Sequence, residues 1–289
     1  MKTVDFLHEV DPNKSGGKGK HLITLSVNDF PVPLGFVITT DAYSLFKHEA
    51  RMPESIKSEI EVCYNKLIDI TGNRVVAVRS SASAEDTATS SFAGQYDTYL
   101  NVNGLDELLE RVVDCWHSLF SERSVFYRKK MNIPDDHLTM AVVVQTMLAP
   151  KSAGVLFTAN PYTMDKNVML AEASWGCGES VVSGSVTPDY FEIKNNDSFE
   201  IITKITGSKE ALPDNSTEIL AEHQTTFCIA ENQLKELCKI GKKIEVLFLK
   251  PQDIEWALED DGTISILQSR PITKFNQAQT TEVPGNSRS

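Results

Sequence analysis

Four short segments, two near the start of the chain and two near its end, carry side chains that suit one polyphosphate. Near the start stand Gly16-Gly17-Lys18-Gly19 and Arg79-Ser80-Ser81-Ala82. Near the end stand Asp253-Ile254-Glu255-Trp256 and Gln268-Ser269-Arg270-Pro271. The first two offer a glycine-rich loop, an ammonium and a guanidinium. The last two offer a carboxylate, an amide oxygen and a second guanidinium on strand-like stretches. Such cations neutralise phosphates, and a carboxylate with an amide oxygen can hold the magnesium that accompanies them. A fold that lets all of them serve one ligand must close both ends of the chain on a common site.

With 289 residues, 41% of them apolar and 24% charged, the chain can bury one large core or two smaller ones. Its formal net charge of −12 argues against a nucleic-acid or anionic-membrane partner, because both need a basic face. A local basic pocket for phosphate is compatible with that balance. The five cysteines, Cys63, Cys115, Cys177, Cys228 and Cys238, are widely spaced and form no Cys-x-x-Cys pair. They read as reduced thiols rather than as a zinc site or a disulfide framework. No signal-peptide pattern follows Met1, and no run approaches the ~18 apolar residues that cross a bilayer. The expected location is the cytoplasm.

The periodicity predicts helices over 41–50, 53–71, 105–130 and 230–246. Continuous or alternating apolar runs predict strands at 37–39, 75–78, 97–102 and 139–147. Further strands are predicted at 154–158, 168–172, 190–193, 200–204, 253–257 and 264–268. Asp260-Asp261-Gly262 suits the turn of a hairpin made by the last two. Residues 1–40 and 83–95 read as loop-rich. Ala149-Pro150 interrupts the pattern, which predicts an N-terminal lobe over 1–149 and a C-terminal lobe over 150–274. A polar, disordered tail is expected over 275–289.

Most of these motifs are weak one at a time. Gly16 to Gly19 matches neither the P-loop nor the dinucleotide fingerprint, and also fits a surface turn with a solvated lysine. Arg79 at the end of an apolar strand also fits a surface ion pair. Gly94, within Ser91-Phe92-Ala93-Gly94-Gln95, would let backbone approach a phosphate, or simply sit in a mobile loop. Gln145 and Met147 end a strand at the lobe junction, where backbone could meet adenine and the thioether could pack on its ring, or serve only the core. Cys177 between two glycines has no histidine beside it in sequence and is not read as a nucleophile. Glu255 and Gln268 fall on opposite arms of the hairpin, so their side chains can share a face. Arg270, two residues on, shares it too.

Taken in order, these segments resemble the N-terminal nucleotide-binding domain of the phosphoenolpyruvate synthase, pyruvate phosphate dikinase and rifampicin phosphotransferase family. The likeness runs from about Lys14 to Thr273. Besides the segments above it is carried by Val-Pro-Leu-Gly-Phe at 32–36, Cys-Trp at 115–116, Phe-Thr-Ala-Asn-Pro at 157–161 and Trp-Gly-x-Gly-Glu at 175–179. The resemblance implies an α+β, ATP-grasp-like two-lobed fold. It implies that Lys18, Arg79 and Arg270 bind phosphates and that Glu255 and Gln268 hold Mg2+. Gln145 and Met147 would lie on the adenine-binding linker, and Gly94 in the phosphate-covering loop. Such a domain splits ATP to AMP and passes the β-phosphoryl group to a histidine on a separate swivelling domain. A further domain binds the final acceptor, pyruvate or an antibiotic. This chain has no phosphocarrier histidine segment, so a histidine-bearing domain or subunit is the implied partner. A self-sufficient ATP-dependent kinase or ligase, and a non-catalytic nucleotide-sensing module, are the competing readings.

Overall fold

The computed structural model describes residues 2–83, 86–87, 90–91, 97–130, 138–209 and 224–272. The expected phosphate-covering Gly94 and the expected disordered tail lie outside them. Contacts divide the chain into two units. The first is Met1–Pro150 with Ala257–Ser269, and the second is Lys151–Trp256 with the residues from Arg270 onward. The hairpin segment 257–269, expected in the second lobe, thus groups with the first unit.

The first unit is built on a five-stranded sheet. Its strands are β1 (Val4–Phe6), β2 (Gly35–Ile38), β3 (Val75–Ala82), β6 (Thr98–Asn103) and β7 (Met140–Thr146), in the order β1-β2-β7-β3-β6. Every neighbouring pair is antiparallel. Alternation along the strands supplies two apolar faces. Phe36, Ile38, Val76, Val78, Val142 and Val144 pack against the helices α2 (Thr40–Glu49), α3 (Glu54–Thr71) and α4 (Leu105–Ser118). Val37, Ala141 and Val143 face the other way and meet Leu22 and Ile23 of α1 (Gly16–Val27). Within the expected loop 83–95, β4 (Asp86–Thr87) and β5 (Ser90–Ser91) form a two-residue antiparallel ladder.

Helix α1 corrects the loop expected at residues 16–19. Its first turn is glycine-rich because strand β3 lies against it. A Cβ on Gly16 would stand 2.0 Å from the Ser81 carbonyl oxygen, and Gly16 has φ +67. A Cβ on Gly19 would stand 2.9 Å from Ser15 Cβ and 3.4 Å from a Val143 methyl. The predicted helix over 105–130 is likewise two helices, α4 and α5 (Glu122–Lys130). Ser121 Oγ accepts from the Ser124 amide at 3.2 Å, an N-cap that restarts the helix. Buried Arg128 donates Nη1 to the Leu119 carbonyl at 2.6 Å, satisfying the end of α4.

The second sheet has the order β11-β10-β9-β8-β12-β13. Its strands are β8 (Ser152–Phe157), β9 (Val168–Trp175), β10 (Asp189–Lys194), β11 (Ile201–Ile205), β12 (Gln252–Leu258) and β13 (Ile264–Pro271). The second unit also holds the short α6 (Glu179–Val182) and the long α7 (Glu231–Phe248). One face of this unit's strands is apolar: Leu156, Ala171, Phe191, Ile254 and Trp256 are buried together with Leu234, Leu237, Cys238 and Ile244 of α7. Gly241 lets α7 close on that face, since a Cβ there would stand 2.5 Å from Leu156 Cδ2 and 3.6 Å from Ile254 Cδ1. Between β10 and α7, buried Asp189 accepts from Lys209 Nζ (2.5 Å), the Gly207 amide (3.0 Å) and the Cys228 amide (2.8 Å). The hairpin turn is as expected, with Gly262 at φ +89 and the Thr263 amide donating to Asp261 Oδ1.

Candidate nucleotide site

In the first unit, the α1 face of the central sheet holds two of the three expected phosphate cations, Arg79 and Lys18. Arg79 lies opposite Val143, whose side chain meets α1, so alternation puts the guanidinium on the α1 side. Lys18 Nζ donates to the carbonyl of Ser80, the residue after Arg79, at 3.1 Å. The helix start and the strand are also tied by hydroxyl bonds. Ser81 Oγ accepts from the Gly19 amide at 3.0 Å and donates to the Ser15 carbonyl at 2.7 Å.

Arg79 was expected at a strand end, whereas β3 continues through Ser80, Ser81 and Ala82 against Val142, Ala141 and Met140. The physical reason is that both serines are internally satisfied. Ser80 Oγ donates to the Asp97 carbonyl at 2.7 Å and Ser81 bonds α1 as above, so burying them costs little.

Gln145 is buried in β7 between Gly35 and Ala77. The Met147 amide donates to the Val75 carbonyl at 2.9 Å, and its carbonyl accepts from Asn73 Nδ2 at 2.8 Å. The backbone amide of Met147 is therefore committed within the first unit. Its side chain, or the residues that follow it, must do any reading of a base at this strand end.

In the second unit, the sheet face opposite α7 is polar. Glu172 lies across from Tyr190, and Glu192 from Thr203. Because Ile254 and Trp256 turn to the α7 side, alternation puts Asp253 and Glu255 on this polar face. Arg270 donates both Nε (2.9 Å) and Nη2 (2.7 Å) to Asp253 Oδ2. Burial raises the Asp253 carboxyl above its ordinary value, the Arg270 cation opposes that, and the charge of Glu255 adds to it. Glu172 is also raised, by burial and then by the charge of Asp253. The face thus concentrates negative charge with one guanidinium pinned among it.

Asp253 as the holder of Arg270, and Glu172 as its electrostatic neighbour, were missed from sequence. For Asp253 a signal existed, since it stands two residues before Glu255 on the same strand face. Gln268 is buried in β13. Cys177 is exposed while the other four thiols are buried. Burial pushes Cys63 up to about 11 and Cys238 up to about 12, which keeps both as inert thiols. Among the described residues no helix is long and apolar enough to cross a membrane.

Comparison with known proteins places the chain in a family. The family described as pyruvate phosphate dikinase, AMP/ATP-binding domain, matches residues 45–289. An uncharacterized phosphotransferase of Bacillus subtilis is 41% identical over 91% of this chain and 34% of its own length. A rifampicin phosphotransferase of Streptomyces sviceus is 37% identical over 92% of this chain and 35% of its own. The phosphoenolpyruvate synthase of Pyrococcus furiosus is 39% identical over 84% of this chain and 32% of its own. The chain therefore spans about a third of the length of these curated relatives. Among solved structures, a D-alanine–D-alanine ligase from Coxiella burnetii aligns at TM-score 0.41 and 12% identity, covering 88% of this chain and 47% of its own. The chain belongs to the family of pyruvate phosphate dikinase AMP/ATP-binding domains.

Proposed function

We propose that this chain is an ATP-grasp-like module that binds Mg-ATP. In this reading the chain splits ATP to AMP and phosphate and hands the β-phosphoryl group to a histidine on a swivelling domain or partner subunit. The observation that carries the reading is the family membership joined to two complementary sets of residues. One is cationic, on the α1 side of the first sheet, and the other is carboxylate-rich, on the open face of the second.

Lys18 and Arg79 neutralise phosphate oxygens, and Arg270 does the same while Asp253 keeps its guanidinium extended. Glu255 and Gln268 hold the magnesium. Their donor set fits, because Mg2+ takes hard oxygen ligands and is bound through one or two carboxylates plus substrate phosphates. The raised carboxyls of Glu172 and Asp253 fit as well, since a cation on this face would offset the burial and the like-charge repulsion that raise them. When bound, the ion would screen the charge of the phosphate chain. Phosphoryl transfer asks the protein mainly for positioning and charge neutralisation, which these side chains supply without a nucleophile of their own. The histidine nitrogen takes the β-phosphoryl group, AMP leaves with the α-phosphate, and water takes the γ-phosphoryl group as inorganic phosphate. Met147 and Gln145 border the adenine, and Gly94 belongs to the loop over the phosphates. The final acceptor, such as pyruvate or an antibiotic, is bound by a further domain, and the module works in the cytoplasm.

Product analysis tests the reading. With ATP and an added histidine-bearing domain from a rifampicin phosphotransferase relative, AMP and phosphate should accumulate. The chain alone should turn ATP over slowly. ADP as the product in the presence of that domain would contradict the proposal.

A further inference from the structure

His21 joins helix α1 to the strand that carries Gln268. Its Nδ1 lies 2.7 Å from the carbonyl oxygen of Ser269, 248 residues further along the chain. Both residues belong to the first unit. A carbonyl oxygen only accepts, so Nδ1 carries the hydrogen and the ring donates. Ser269 is 1% exposed and stands between Gln268 and Arg270. It is therefore the peptide link between the expected metal-holding amide and the expected phosphate-holding guanidinium.

Among the described residues strand β13 is the last of its sheet, with no described strand beside one of its edges. Hydrogen bonds involving Pro31 and His21 reach it instead. The Ile266 amide donates to the Pro31 carbonyl at 2.7 Å, and His21 donates to Ser269. Only the second falls among the site residues. His21 also follows Lys18 by three positions on α1, hence on the same side of the helix. Helix α1 thereby carries the lysine that faces the phosphates and the donor that fixes the register of β13.

We infer that His21 is a positioning residue for nucleotide binding. By holding the Ser269 carbonyl it sets the height at which β13 presents Gln268, and so tunes how well metal-bound nucleotide fits. The inference rests on the Mg-ATP reading above. Side chains that orient the holders of a metal change its affinity by about 10–100-fold when lost. The effect expected of His21 is at the lower end, because it acts through backbone rather than on the amide itself.

The experiment is calorimetric titration of the chain with ATP, with and without Mg2+, together with thermal melting of the ligand-free protein. His21→Leu removes the donor. His21→Gln moves the amide to the position of Nε2. His21→Asn puts an amide where Nδ1 stood. His21→Leu and His21→Gln should each weaken Mg-ATP binding about tenfold while binding of metal-free ATP changes less than threefold. His21→Asn should restore the parent affinity. In a Gln268→Ala background, His21→Leu should have no further effect. Parent-like Mg-ATP affinity in His21→Gln overturns the inference, whether or not His21→Leu folds. So does an equal loss with and without Mg2+, which would mark a purely structural bond. A parent chain that shows no Mg2+-dependent ATP binding overturns the underlying reading, and this inference with it. A Mg2+-dependent parent beside neutral variants overturns the inference alone.

Discussion

Glu172 is held against two unfavourable influences, burial and the nearby charge of Asp253, and both favour its neutral form. Its carboxyl in the folded chain therefore gives up a proton at higher pH than in the unfolded chain, whose ordinary value is 4.5. Between those two values the folded state binds more protons, so stability falls as pH rises through that window. Glu172→Gln removes this cost while keeping shape. It should melt at a higher temperature than the parent at pH 7, and the difference should shrink toward zero as pH falls to about 4. A melting difference that stays constant across that range would show that the charge is not its source. At the same scale, the sequence singles out residues whose types suit phosphate and a hard cation. Lys18, Arg79, Glu255, Gln268 and Arg270 stood out because cations and oxygen donors recur in short segments beside glycine or strand signals. Asp253 and His21 did not, because each acts on a partner that spacing does not reveal. Asp253 reaches Arg270 across a hairpin, and His21 reaches a backbone carbonyl 248 residues away.

Helix α1 shows where element-level reading went wrong and why. Glycines at 16, 17 and 19 carry a strong turn signal, and intrinsic propensity disfavours them in a helix by about 1 kcal/mol each. Tertiary packing overrides that preference, because only a missing Cβ allows α1 to start against the Ser81 carbonyl. Gly16→Ala should therefore cost more than an ordinary left-handed glycine. The backbone penalty at positive φ is about 1–2 kcal/mol, and relief of the contact should bring the total to about 2–4 kcal/mol. Gly72 is the internal control. It closes α3 at φ +69 with nothing within 4 Å of a Cβ, so Gly72→Ala should lose only the backbone share. Equilibrium denaturation of both variants measures the difference, and equal losses would remove the packing argument. The α4–α5 break was legible in part, since Ser121 is a good N-cap residue. Unbroken apolar periodicity from Leu105 to Phe120 masked it. Most strands of both sheets were legible because apolar runs of strand length alternate between faces, but the three-residue β1 (Val4–Phe6), within residues read as loop-rich, was not. The end of β3 was not, because Ser80 and Ser81 look polar and yet have internal partners.

At the scale of the whole molecule, the proposed reading has an acidic chain supply three cations to the phosphates and a histidine-bearing partner receive the phosphoryl group. The curated relatives are about three times as long, which is consistent with a module that delivers a phosphoryl group rather than finishing a reaction. The mixed α+β class could be anticipated from the helical and strand periodicities. The grouping of residues 257–269 with the first unit could not, because it depends on long-range bonds such as Ile266 to Pro31. In the proposed reading, Lys18 and Arg270 both contribute to the binding of magnesium-bound ATP. Titrating ATP in the presence of Mg2+ into the parent chain, Lys18→Ala and Arg270→Ala tests it most directly. Loss of a charge-assisted phosphate contact should weaken binding by about tenfold or more in each variant. Parent-like affinity in either variant would contradict the claim.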